Sequence, residues 1–137
     1  PDPDADIGEH SFTFSLLPHK KDLIRSTVIK ESTCLNQEPL MFQGVSSNVR
    51  IPVNVSGNGI ELSVLKKSEK EDCWIVRVAE TNGRNSTGTL TLSGLITECN
   101  LIEWDDIGES VNVNNDFDLD LAPFEIKTFK IHQLKLD

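Results

Sequence analysis

A chain of 137 residues suits one domain with a single core, and its 37% hydrophobic content is enough to fill one. The net charge of −9 and scattered lysines argue against nucleic acid and an anionic membrane surface as partners. Apolar runs are as short as Leu16-Leu17 and Leu95-Ile96, so no segment reads as a membrane-spanning helix.

After the acidic start Pro1-Asp2-Pro3-Asp4, which reads as the cut end of a longer chain, His10 to Leu17 alternates polar and apolar residues. Phe12, Phe14 and Leu16 share one face, the pattern of a half-buried strand ended by Pro18. Asp22 can cap a short helix carrying Ile24, Val28 and Leu35, although β-branched residues weaken it. Val49 to Val55 reads as a strand entering the turn Gly57-Asn58-Gly59. Ile60 to Lys66 and Trp74 to Ala79 read as strands joined by a charged loop. Leu90 to Ile96, Cys99 to Trp104, Phe117 to Leu121 and a long last strand, Phe124 to Leu136, follow. Frequent turns without helix–strand alternation predict a mainly β chain, an antiparallel β-sandwich with one short helix near the N-terminus.

Candidate chemistry is sparse. Asn114, Asp116, Asp118 and Asp120 share a face that could offer oxygens to calcium, but the glycine and glutamate of an EF-hand loop are missing. An edge strand guarded by like charges explains them better. Asp105, Asp106 and Glu109 read as surface-loop charges. His10 and His19 flank the first expected strand and read as hydrogen-bonding structural residues. Arg77, inside an apolar strand with Glu80 shortly after it, requires a partner, and an ion pair is expected. Cys34, Cys73 and Cys99 lack zinc-ligand spacing; a disulfide between two of them is one reading, and free buried thiols of a reducing compartment, hence a cytoplasmic expectation, is the preferred one. No nucleophile elbow, zincin helix or phosphate loop occurs.

Taken in order, five segments resemble glycoside hydrolase family 38, the α-mannosidases. Asp6 to His19 is similar to the family's D-x-G-x-H-x-F-x-Y-x-L-x-P-H, with Phe14 in place of the tyrosine. Leu35 to Pro39 resembles its L-N-x-P turn with one residue inserted, and Ile75 to Gly83 resembles I-x-R-L-x-E-x-x-G. Asn100 to Glu103 resembles N-L-L-E, and Ala122 to Thr128 resembles x-P-F-E-I-x-T. The resemblance implies that residues 1–137 are the C-terminal β-domain of a retaining α-mannosidase, with galactose-mutarotase-like architecture. Zinc and the aspartate nucleophile would lie in an amino-terminal barrel outside this chain, so no catalytic, cofactor or metal residue is carried over. The motif residues His10, His19, Arg77, Glu80, Gly83, Glu103, Phe124 and Glu125 are expected to be structural. The expected partners are the remainder of the same polypeptide and the parent's carbohydrate substrate, with self-association through an apolar face bared by truncation. The other reading is a free-standing carbohydrate-binding or adhesion module, for which Trp74 and Trp104 are the only tryptophans.

Overall fold

In the computed structural model, residues 5–37, 39, 41, 43, 44 and 52–135 are described. They fall into two compact units, one up to Gln43 and one from Gly44 onward.

The N-terminal unit holds α1 (Val28–Asn36) and no strand among its described residues. The helix starts later than Asp22 because the polar side chains before it are spent on turns. Asp22 Oδ1 accepts the Arg25 N–H at 2.8 Å, and the Ser26 hydroxyl donates to Leu23 O at 2.7 Å. The strand expected over His10 to Leu17 is absent, and Phe12, Phe14 and Leu16 stand 75%, 91% and 93% exposed. Alternation chooses the faces of a strand; only a second backbone makes one, and no described segment pairs here.

The second unit is an antiparallel β-sandwich. One sheet has the order β1-β4-β7, from Asn54–Gly57, Ser86–Thr91 and Asp116–Leu121. The other has the order β2-β3-β8-β5-β6, from Ile60–Lys67, Trp74–Glu80, Ile126–His132, Gly94–Cys99 and Val111–Val113. Their facing sides enclose Val53, Val76, Val78, Leu90, Leu92, Ile96, Leu119, Leu121, Phe129 and Ile131, all close to fully buried. Phe117 meets Phe129 edge-to-face across the gap, with centroids 5.6 Å apart.

Several strand boundaries differ from expectation for physical reasons. The run expected as one strand from Leu90 to Ile96 is split between β4 and β5, which lie in different sheets. Leu90, Leu92, Gly94 and Ile96 are all buried, so the alternation continues unbroken while the chain crosses the sandwich. Cys99 ends β5, and Asn100 to Trp104 is a turn rather than a strand, because Asn100 folds the chain back on itself. The last strand begins at Ile126, since Phe124 takes a φ of 59°. Of the expected Val49–Val55 strand, residues 49–51 lie outside the described residues, Pro52 and Val53 are not in a strand, and β1 starts at Asn54. β7 is an edge strand with Asp116, Asp118 and Asp120 exposed, as like-charge protection of an edge requires.

Candidate functional site

β8 is central to its sheet and buried on both faces: Phe129 and Ile131 point into the sandwich, while Thr128 and Lys130 face outward yet are only 2% exposed. Register explains what covers them. Arg77 pairs with Thr128 and Ile75 with Lys130 on one side, and Cys99 with Thr128 and Thr97 with Lys130 on the other. Directly paired residues share a face. The outer face of the sheet therefore carries Ile75, Arg77, Thr97, Cys99, Thr128 and Lys130 together, and two groups of charges form there.

The first group is built on the Asn100–Asp105 turn. Asn100 makes the turn with its own side chain, donating to Asp105 Oδ2 at 2.7 Å and accepting the Trp104 N–H at 2.9 Å. Arg77 fastens that turn to the sheet. Its Nη2 donates to Leu101 O at 2.9 Å and Glu103 Oε1 at 2.8 Å, and its Nε donates to Thr128 Oγ1 at 3.1 Å. Lys66 reaches the other Glu103 oxygen at 3.0 Å. Arg77 thus has its ion pair, but with Glu103 and not with Glu80. Residues three apart on a strand point to opposite faces, which puts Glu80 on the core side. Beside the pair lies a hollow of about 280 Å³ lined by Lys66, Ser68, Glu69, Lys70, Ile102, Glu103 and Trp104. Trp104 is exposed, but Lys70 Nζ sits 3.3 Å from its ring centroid. That cation occupies one face of the ring, where a sugar would otherwise stack.

The second group surrounds Lys130. Its ammonium donates to Glu71 Oε1 at 2.7 Å and lies 3.0 Å from Asp106 Oδ1. The hydrogen bond to Glu71 outweighs burial and holds this lysine well above its ordinary range. His132 Nε2 lies 4.0 Å from the second Glu71 oxygen. Glu71, Cys73 and His132 bring one ligand-type atom each within 4.8 Å of one another, the sole such group among the described residues. Burial pushes the Cys73 and Cys99 thiols above their ordinary value of 9.0. Both are free, as expected, whereas Cys34 is free but exposed on α1.

A third constellation gathers the remaining motif residues of the sandwich. Glu80, at the core-facing end of β3, accepts backbone N–H bonds from Asn82, Gly83, Arg84 and Phe124, and a hydroxyl bond from Ser86. Gly83, with φ of 68°, lies under the Phe124 ring, where a Cβ would come within 2.6 Å of Cζ. Glu125 closes the same turn by accepting the Ala122 N–H at 2.7 Å. Burial alone would raise the Glu80 pKa, but the backbone bonds from Phe124, Asn82, Gly83 and Arg84 prevail and hold it below 4.5. A carboxyl with a depressed folded-state pKa stabilises fully above its unfolded value, and that stability is lost as pH falls through the folded one. Acid unfolding of a Glu80→Gln variant is therefore expected to show a flatter limb below about pH 4.5. Thermal melts from pH 7 down to 3 check this.

His10 and His19 lie in the other unit, where each ring meets a backbone carbonyl, of Asp6 and Lys21 respectively. Asp105 serves the Asn100 turn and Asp106 serves Lys130. The sequence pattern does not single out Lys130 or Glu71, and it marks Cys73 only as a free thiol. A signal for Lys130 is Phe129-Lys130-Ile131, a lysine between apolar residues in a strand with neighbours on both sides. Among the described residues, the Glu71–Cys73–His132 group has no free carboxylate beside it to serve as the general base of a catalytic centre. Glu71 is bonded to Lys130 and the adjacent Asp72 is salt-linked to Lys67 at 3.4 Å, so neither carboxylate is left as a base.

The fold and these motifs define a two-sheet antiparallel β-sandwich whose charged residues tie turns to strands. The C-terminal beta sandwich domain of glycosyl hydrolases family 38 matches residues 59–129, and the chain belongs to that family. Alpha-mannosidase G of Dictyostelium discoideum is 32% identical over 143 residues, covering 95% of this chain and 13% of that protein. Alpha-mannosidase 2C1 of Homo sapiens is 29% identical over 136 residues, covering 92% and 13%. The chain thus spans about an eighth of the length of these relatives.

Proposed function

We propose that this domain serves a zinc-dependent, retaining α-mannosidase as a non-catalytic C-terminal scaffold, docked on the remainder of the polypeptide. The single observation that carries the reading is the family match across β2 to β8, which contains the Arg77–Glu103 and Glu80–Gly83–Phe124 arrangements. In both, the carboxylates are committed to protein donors, which suits structural roles. Leu101, Ile102, Trp104 and Ile107 are each more than half exposed on the turn and loop after β5, which suits docking on another protein surface. Catalysis by retention requires two carboxylates flanking the glycosidic bond, and this reading puts them outside the domain.

The test compares the domain alone with the full-length protein on p-nitrophenyl α-mannoside. The domain is expected to show no turnover, and the full-length enzyme to release the α-anomer first and to lose activity on chelation. Ile102→Asp is expected to lower the melting temperature of the full-length protein while leaving the isolated domain unchanged. Turnover by the isolated domain, or an Ile102→Asp enzyme as stable as its parent, would overturn the reading. Specific retention of the isolated domain on a glycan array would favour the carbohydrate-binding alternative.

A further inference from the structure

We propose that Glu71, Cys73 and His132 form a binding site for a zinc-like divalent cation on the outer face of the five-stranded sheet. The three residues come from the loop before β3 and the end of β8, and their ligand-type atoms already lie within 4.8 Å of one another. Ligands sharing a tetrahedral ion at 2.0–2.3 Å stand about 3.5 Å apart, so the trio needs to close by at most about 1.3 Å. Glu71 is partly exposed, which leaves its side chain room for that movement.

The chemistry of the set selects the ion. Thiolate and imidazole suit zinc and its neighbours in the first transition row, whereas calcium and magnesium require oxygen ligands. Two of the three, Cys73 and His132, line a surface hollow with Lys67, Asp72, Trp74, Ile131, Gln133 and Leu134, and Glu71 lies outside that hollow but is itself exposed. Three protein ligands leave an open position for water or an outside ligand.

Charge balance points the same way. The buried Lys130 ammonium faces two carboxylates, Glu71 and Asp106, which leaves one negative charge in excess. Binding forms a bond from Cys73 Sγ to the metal and releases the thiol proton to solvent, which adds a second. A dication cancels both. Lys130 is not stranded when Glu71 turns toward the ion, since Asp106 remains 3.0 Å away.

The test is a Co²⁺ titration of the reduced 137-residue chain in a Cys34→Ser background, so that the exposed thiol contributes nothing. A near-ultraviolet thiolate-to-cobalt band is expected, saturating at about one ion per chain and displaced by Zn²⁺. Cys73→Ser is expected to abolish the band. His132→Ala, at a half-exposed position that tolerates substitution, is expected to weaken binding about ten-fold or more with the melting temperature of the metal-free protein unchanged. Absence of the band, its persistence in Cys73→Ser, or undiminished affinity in His132→Ala would each overturn the proposal. These outcomes do not depend on mannosidase activity.

Discussion

Phe129→Ala is expected to destabilise the β-sandwich by about 3–5 kcal/mol, the usual cost of deleting a buried aromatic ring. Phe129 is 1% exposed on the central strand of its sheet, paired with Val76 on β3 and Glu98 on β5. Its ring meets Phe117 from the opposite sheet, so the cavity would open at the joint between the two layers. Backbone ladders on both sides hold β8 in place, which limits how far the site can collapse. Urea unfolding should show the loss as a lower midpoint with an unchanged slope. A cycle with Phe117→Ala should return a coupling of about 0.5–1.5 kcal/mol for the edge-to-face pair. A loss below about 1.5 kcal/mol for Phe129→Ala would mean that the sheets close over the gap, and that the sandwich is held mainly elsewhere.

The alternation of Val76, Val78, Phe129 and Ile131 was plain in the amino-acid order because each points into one core. The same rule misled at both ends of its range. Phe12, Phe14 and Leu16 alternate as cleanly, yet no described strand pairs with them. Leu90 to Ile96 keeps its alternation across a change of sheet, since a residue facing the core does so from either layer. β6, three residues long, carries too little pattern to be seen.

The charged groups were half legible. Arg77 and Glu103 both stand in family-like segments, but their contact depends on the Asn100 turn, and a turn made by one asparagine side chain looks like more strand when read by hydropathy. Glu80 was read as an ionic partner because it is near Arg77 in sequence. Its distance from Phe124, 44 positions on, gave no hint that one carboxylate would bind both turns. Lys130 was the hardest to see, because its burial is produced by a loop from before β3 and another from after β5 closing over the same strand.

Lys130→Met is expected to cost about 2–4 kcal/mol at neutral pH, the range for losing a charge-assisted hydrogen bond and leaving its acceptors unpaired. Glu71 and Asp106 would then face each other without the ammonium between them. Both retain substantial exposure, 41% and 54%, so water screens the repulsion and keeps the cost below that of a fully buried pair. The pH dependence separates this from simple packing. The Lys130 pKa is raised above 10.5 by the Glu71 bond, so its contribution is complete below that pH and disappears only as pH rises through the still higher folded-state value. Unfolding curves of the parent and Lys130→Met should therefore stay a constant distance apart from pH 7 to about pH 10, and converge only in stronger alkali. Methionine fills a similar volume, so a variant equal in stability to its parent at neutral pH would show that the aliphatic stem, and not the charge, holds the loops down.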